Sequence, residues 1–397
     1  MLTHFCYTAR MLAIGSDGQA PTQTLPVVYT RKAVGELTLP ERTAWSRLRG
    51  QNPALYSPYF DIAYTDQVSA LRPDTFVIIA SRGGQAAAFL PCQGTGRLGF
   101  AAPIGSPMTD YHGLIKAPDD PIDLKTMLEE AGVGGFGFNA LIETNCKPLT
   151  VRKEHEAAVM DLANGAQAWR AEKDGSYRRS LKSLRRRIRN TETEYGERRF
   201  DFKSADPAVF ATLIKWKQAQ FKLTGKYDVL AAGWTLSLLE RLFAAPDNAL
   251  RCDMHVLYFG DKIAAVDLGL SDGATYHSWI VAYDSEFAAL SPGIQLLEAL
   301  MDEAPALGYS RIDLGAGTGG YKKHYASVPL IVKSGFAAVQ GPAGKILSVY
   351  AKAEEAGETS MKDIPGKVRR RFTQIANCDP SFMGRAKAMA SAIKVSK

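Results

Sequence analysis

The chain has 397 residues, 46% hydrophobic and 22% charged, with a net charge of +7. That length exceeds one ordinary core and suits two domains. No apolar run approaches the ~20 residues of a membrane-spanning helix, and MLTHFCYTARMLAIGSDGQ lacks the apolar core of a secretory signal. Residues 1–26 read as a disordered lead, or as a start placed upstream of Met11, and cytoplasmic residence is expected. Cys6, Cys92, Cys146, Cys252 and Cys378 are odd in number and scattered. Their spacing suits buried free thiols rather than a metal or redox site. Gly366–Lys397 holds eight basic residues against Asp379, an excess equal to that of the whole chain. The body is therefore balanced, which argues against nucleic-acid binding by the whole protein.

In chain order, Val27–Thr30 reads as a strand and Pro40–Gly50 as a helix with Trp45 and Leu48 on one face. A second helix is expected over Asp61–Leu71. The β-branched run Thr75–Ser81 predicts a strand, turned at Arg82-Gly83-Gly84 into a returning strand, Ala86–Pro91. Short strands follow to Gly113–Lys116, then a helix at Asp123–Ala131 and a strand at Phe136–Ile142, ending a first unit near Thr150.

A second unit starts around Met160. Asp174–Glu194 predicts a long basic helix, Asp206–Thr224 an amphipathic one and Thr235–Ala244 a third. Arg251–Phe259, Lys262–Ser271 and Thr275–Tyr283 read as strands joined at Gly260-Asp261 and Asp272-Gly273. A helix at Pro292–Ala304, a strand at Arg311–Leu314 and a short helix at Tyr321–Ala326 follow. Strands at Val328–Lys333 and Lys345–Tyr350 close the unit. Both halves thus read as helix, hairpin strands, helix, strand. The expected division is 27–155, 156–358 and a basic tail, 359–397.

Chemistry concentrates between Tyr276 and Tyr325. Ser291-Pro292-Gly293 opens a helix, with Ser291 suited to the N-cap, Pro292 to the first helical position and Gly293 to close backbone approach. The free N–H groups and dipole of that helix favour an anion such as a pyrophosphate. The same three residues also suit an ordinary capped helix.

The order and wording of YDSEFAALSPGIQLLEALMDEAPALGYSRIDLGAGTGGYKKHY resemble the GNAT superfamily. The branch in question holds the CelD-like polysaccharide acetyltransferases, holdfast enzymes among them, and the FemAB peptidoglycan aminoacyltransferases. WSRLRGQNPALYSPYF, IGSPMTDYHGLI and YRRSLKSLRRRIRN extend the resemblance over most of the chain from about Pro40 to Tyr350. It implies an α/β (α+β) fold of two tandem GNAT-like domains, each a mixed, mostly antiparallel sheet flanked by helices. It also implies acetyl-coenzyme A as co-substrate, without a metal. Strands Thr275–Tyr283 and Arg311–Leu314 would diverge around the pantetheine arm, and Ser291–Ile294 would hold the pyrophosphate. Of the superfamily's Gln/Arg-x-x-Gly-x-Gly/Ala loop, only Gly293 remains among the glycines.

Acyl transfer to an amine needs a base, and an acid for the departing thiolate. His277 is either that base or a hydrogen-bonded core histidine. Tyr321 and Tyr325 stand where GNAT enzymes place the acid, or one of them packs. Asp313 orients substrate or water, or caps the following turn. Lys322 suits an anionic substrate group, and Asp284 is a turn former or a site carboxylate. In tandem relatives the cleft between domains receives the acceptor, which singles out Asp110, Tyr111 and His112; the alternative is a plain turn.

IDLGAGTGGY also looks like the first motif of S-adenosylmethionine methyltransferases. No acidic strand end follows about 20 residues on, and too little chain remains for a doubly wound sheet. A phosphate loop fails because Tyr321 stands at the lysine position. The basic helix Arg178–Asn190 is open to a tRNA, a cyclic dinucleotide or simple solvation, and Leu181, Leu184 and Ile188 give it a packing stripe. The basic tail suits an anionic membrane surface, or has no partner. The expected function is N-acetylation of an amino sugar of a bacterial exopolysaccharide or its lipid-linked precursor. The alternatives are a FemAB-like aminoacyl-tRNA-dependent transferase and a non-catalytic binding protein.

Overall fold

The computed structural model describes residues 25–94, 98–142, 149–245, 249–358 and 374–378. The first stretch of chain forms β1 (Val27–Ala33), α1 (Leu39–Gln51), α2 (Ile62–Ser69), β2 (Thr75–Arg82), β3 (Gln85–Gly94) and β4 (Phe100–Pro103). β5 (Ile115–Lys116), α3 (Leu124–Glu130) and β6 (Gly135–Leu141) follow. Then come β7 (Thr150–Asp161), α4 (Gly165–Ala171), α5 (Gly175–Tyr195), β8 (Arg198–Phe202), α6 (Pro207–Leu223) and α7 (Trp234–Phe243). The last stretch is β9 (Arg251–Phe259), β10 (Lys262–Ser271), β11 (Thr275–Tyr283), α8 (Pro292–Leu307), β12 (Arg311–Ala316), β13 (Ile331–Ala338) and α9 (Gly341–Glu358).

Local chemistry accounts for the helices that frame the site. Thr38 and Glu41 form a reciprocal capping box at α1, which buries Trp45 and Leu48. Asp206 caps α6 through the Ala208 N–H, Pro207 takes the first helical position, and Val209, Phe210, Leu213 and Ile214 turn inward. α8 buries Leu296, Leu297, Leu300 and Met301 and stops at Gly308, whose φ of +87° suits glycine. Each such buried leucine stabilises its seat by roughly 2 kcal/mol.

Among the described residues one 13-stranded sheet runs β1-β2-β3-β4-β6-β13-β7-β12-β11-β10-β9-β8, with β5 on β3. Its ladders are antiparallel except for β4–β6 and β11–β12, each crossed by a helix, α3 and α8. The expected mixed, mostly antiparallel α/β fold is what forms. β13 lies between β6 and β7, so the chain's last strand closes the sheet across its middle. The expected division at 155/156 falls inside β7.

Several elements differ from expectation. Lys345–Tyr350 is not a strand but the middle of α9, because the run continues as YAKAEEAGE, rich in alanine and other helix formers. The strand expected at Val328–Lys333 starts at Ile331 and runs to Ala338, past Pro329, which has no N–H for a ladder. β7 was not anticipated: the charges of VRKEHE hide its strand character, and its burial is confined to Ala157–Met160. α4 and β8 were likewise not foreseen. Within the expected tail, residues 374–378 pack on the body. Ile375, Asn377 and Cys378 are buried, Arg72 Nη1 donates to the Asn377 carbonyl at 2.5 Å, and Trp234 Nε1 to that of Cys378 at 3.2 Å. The rest of the tail and residues 1–24 lie outside the described residues. Cys92 and Cys252 are buried free thiols and Cys378 is buried, while Cys6 and Cys146 fall outside. No helix among the described residues is long and apolar enough to cross a membrane.

Candidate active site

β11 and β12 pair in parallel at Thr275–Arg311, Tyr276–Ile312 and His277–Asp313, and there the ladder ends. β11 continues to Tyr283 and β12 to Ala316, so the two strands separate from Ser278 onward. On the other side of β11, the register with β10 jumps from Leu268–Ile280 to Gly269–Ser278. Trp279 is therefore the extra residue of a β-bulge, a device that re-aims neighbouring side chains.

The α8 N-terminus follows β11 by a short 3-10 turn, Ser285–Leu290. Ser291 holds the N-cap position in a left-handed conformation (φ +56°), yet its hydroxyl does not cap the helix. Instead Arg187 Nη1 of α5 donates to Ser291 Oγ at 2.5 Å. Pro292 supplies no N–H. A side chain at Gly293 would meet only the Tyr283 ring, at 4.0 Å, so the position is open. A helix N-terminus without an anionic cap and with a guanidinium beside it favours a bound anion.

The last rung of the ladder carries a buried charge network. Asp313, fully buried, accepts from Tyr56 Oη (2.8 Å), Tyr111 Oη (2.8 Å) and the Gly315 N–H (2.7 Å). His277 Nδ1 lies 3.6 Å from Asp313 Oδ2, and His277 Nε2 is 2.9 Å from Asp110 Oδ2. Burial opposes charge on His277, but Asp313 and Asp110 outweigh it and raise its pKa to about 9. His277 is therefore a cation at neutral pH and has no free pair for base catalysis. Burial works against the Asp313 carboxylate as well, and His277 with its hydrogen bonds holds it below the usual range. Burial and then Asp313 push both tyrosine hydroxyls well above the phenol range, so they remain donors. Asp110 is the exposed end, its side chain 42% accessible. Gly315 (φ +80°) is needed here, since a Cβ would stand 2.9 Å from Asp110 Oδ2.

A second acidic centre sits on β10. Asp267 is buried and accepts from Tyr276 Oη (2.9 Å) and from Ser278 Oγ (3.0 and 2.9 Å to its two oxygens). Burial raises its pKa to about 6, against those hydrogen bonds and the cations His277 and Lys217. A lysine from outside the sheet donates to each of the two strands that bound the opening. Lys217 Nζ of α6 donates to the Val281 carbonyl of β11 (3.2 Å), and Lys322 Nζ to the Leu314 carbonyl of β12 (2.5 Å). Burial and then Lys226 lower the Lys217 pKa. Among the described residues no cluster of three or more His, Cys, Asp or Glu could hold a metal.

The structure thus brings together Asp110, Tyr111, His277 and Asp313 at the apex of the opening, Ser291–Gly293 at the helix mouth, and the Lys322 ammonium against β12. Tyr321 follows β12 in the 3-10 turn Gly320–His324, is 41% exposed, and is raised to about 12 by burial and then Asp267. Tyr325 faces elsewhere: its hydroxyl donates to Glu298 Oε1 of α8 at 2.8 Å, and its ring stacks on Trp169. Asp284 accepts from the Glu286 N–H and is a turn former. His112 is buried, lowered to about 3 by burial, and its Nε2 accepts from the N–H groups of Asn139 and Ala140. Asp267, Ser278, Lys217, Arg187 and Tyr56 were not singled out from sequence. The one legible signal among them was an acid alone inside the apolar strand KIAAVDLGLS.

Residues 178–323 match the family model of the acetyltransferase (GNAT) domain. Those residues are thus similar to a GNAT-type acetyltransferase domain, and the matched stretch spans the opening, the bulge and α8. No curated protein sequence matches. Among solved structures, FemX is 8% identical, covering 81% of this chain and all of its own, with a TM-score of 0.49. A conserved protein of unknown function from Bacteroides thetaiotaomicron is 12% identical over 79% of this chain and all of its own (TM-score 0.45). A tandem GNAT protein from the clavulanic acid biosynthesis pathway is 7% identical over 78% and 97% (TM-score 0.44).

Proposed function

We propose that the chain transfers an acyl group from coenzyme A to an amine, with the donor between β11 and β12. The observation that carries this is the parting of the two strands after His277–Asp313, with an uncapped helix N-terminus and Arg187 at its mouth. The pyrophosphate of the donor would meet Arg187 and the first turn of α8, and the thioester would lie near Ser278. The acceptor would approach Asp110, whose carboxylate suits an ammonium group. Half-buried Tyr56 donates to Asp313, and half-buried Trp279, whose Nε1 donates to the Met108 carbonyl at 2.9 Å, packs edge-on against Tyr59, which meets the His277 ring in turn. Aromatic faces beside a carboxylate suit an amino sugar. The finer reading is N-acetylation of an amino sugar of a bacterial exopolysaccharide or its lipid-linked precursor.

Calorimetric titration with coenzyme A should give one site per chain, and Arg187→Ala should weaken it about tenfold, equivalent to ~1.4 kcal/mol. Thiol release from acetyl-coenzyme A in the presence of glucosamine would support the acceptor class. Absence of coenzyme A binding at millimolar concentration would overturn the donor site.

A further inference from the structure

We infer that Asp267 takes the proton of the attacking acceptor, reached through the hydroxyl of Ser278; this rests on the acyl-transfer reading above. Ser278 is the first residue of β11 beyond the last β12 rung and sits next to the bulged Trp279. Its hydroxyl, on the face of β11 opposite the His277 side chain, therefore borders the start of the opening, where the transferred carbonyl of a donor threaded between the strands would come to rest. The Asp267 carboxylate lies directly behind it, at 2.9 and 3.0 Å.

The pair is built rather than incidental. A Cβ at Gly269 would overlap the Tyr276 ring at 2.3 Å, so only glycine lets that ring cross β10 and deliver its hydroxyl to Asp267. Asp267 also differs in kind from Asp313. Asp313 is pinned by three donors and the imidazolium of His277, which leaves it a fixed anion. Asp267 is held by hydroxyls alone, a setting in which a buried carboxyl is readily protonated. The charged and titratable groups around it are Tyr276 and His277 on β11, Cys252 on β9, Lys217 from α6 and Tyr321 after β12. α8 contributes the apolar Leu296 and Leu297 to its face of the sheet.

The step balances as follows. The acceptor ammonium first gives one proton to solvent; the neutral amine nitrogen then forms a bond to the thioester carbonyl carbon and gives its second proton to Ser278 Oγ, whose own proton passes to Asp267. The C–S bond then breaks, and coenzyme A leaves as a thiolate that takes a proton from solvent, or from Tyr321, which regains one from solvent. Asp267 later returns its proton to solvent.

The experiment compares wild type, Asp267→Asn and Ser278→Ala, using acetyl-coenzyme A with glucosamine, or with water as a slow acceptor, and coenzyme A titration as a separate readout. Asp267→Asn should lower turnover by about 10²–10⁴-fold while coenzyme A affinity stays within about twofold of wild type. Ser278→Ala should fall between. In wild type, kcat/KM should rise with pH through about 6, the Asp267 value, and that limb should vanish in Asp267→Asn. If coenzyme A binds but either variant keeps wild-type turnover, or the acid limb survives Asp267→Asn, this inference falls and the donor site stands. It falls too if wild type binds coenzyme A yet releases no thiol above background. If wild type binds no coenzyme A, the functional reading itself fails.

Discussion

The sheet contains two parallel pairs made the same way, and they end differently. β4 and β6 pair at Phe100–Gly135 and Ala101–Phe136, then separate around a gap that the chain fills itself. His112 bridges to Leu141, the His112 N–H donates to the Ala140 carbonyl (3.2 Å), and the Ile142 N–H donates to that of His112 (2.9 Å). The helix crossing that pair, α3, is capped by the Asp123 carboxylate, which accepts from the Thr126 N–H at 3.0 Å. Beyond β11–β12 no bridge fills the gap among the described residues, and α8 has an arginine at its mouth where α3 has a carboxylate. One topology thus yields an opening stopped by its own chain and another that the described residues leave open. The unit whose opening is filled instead contributes Tyr56, Asp110 and Tyr111 to the other's apex.

The apex rung is where breaking the comparison should cost most. Ala101–Phe136 closes the first pair with apolar side chains; His277–Asp313 closes the second with charge. Removing the anion by Asp313→Ala leaves the His277 cation to Asp110 alone and strands two buried hydroxyls, and should cost about 3–5 kcal/mol of unfolding free energy in urea. A loss below about 1 kcal/mol would mean that the network does not hold the apex.

The same rung predicts a pH dependence confined to the second pair. His277 is raised from an unfolded value near 6.5 to about 9 in the fold. Its contribution is complete below about 6.5 and disappears as pH rises through about 9, amounting to up to ~3 kcal/mol. Asp313, held low, acts at the other end: its contribution is present above the ordinary carboxylate range near 3.9 and is lost as pH falls through its folded value. Urea unfolding at a series of pH values should therefore show stability falling from about pH 6.5 to 9. His277→Gln should flatten that fall, and an unchanged slope in this variant would refute the assignment.

Much of the second half was legible because its hairpins and amphipathic helices carry clear periods and two-residue turns. α5, α6, α7, β9, β10 and β11 fall within a residue or so of expectation. β7 was not legible because its first half is charged and its partners, β12 and β13, come far later in the chain. The site splits along the same line. Ser291-Pro292-Gly293 is a local signal, whereas the meeting of Tyr56, Asp110, His277 and Asp313 depends on register and on packing between units, which no spacing records. His277 was singled out as a candidate, but its charge is set by two carboxylates invisible from its own strand. Asp267 illustrates the converse, since an acid inside an apolar strand is a readable anomaly even when its hydroxyl partners are not.

The helix termini allow a smaller test. Ser291→Asp gives α8 the kind of cap that α3 has, at a position whose left-handed backbone an aspartate tolerates. A carboxylate there would oppose a pyrophosphate, so coenzyme A should bind about tenfold more weakly, ~1.4 kcal/mol. Thermal stability without ligand should hold or rise slightly. Unchanged coenzyme A affinity would remove the α8 terminus from the donor site.

The smallest effect is expected from the reciprocal change. Asp123→Ala removes the α3 cap, including the 2.6 Å bond its other oxygen accepts from Thr126 Oγ1, and should cost about 1 kcal/mol of stability. It should not create a second coenzyme A site, because the gap beside β6 would still be filled by His112 and its backbone bonds to Ala140 and Ile142. Titration of this variant should return the wild-type stoichiometry and affinity. A second binding event would show that the Asp123 charge, rather than the inserted chain, is what keeps the first opening shut.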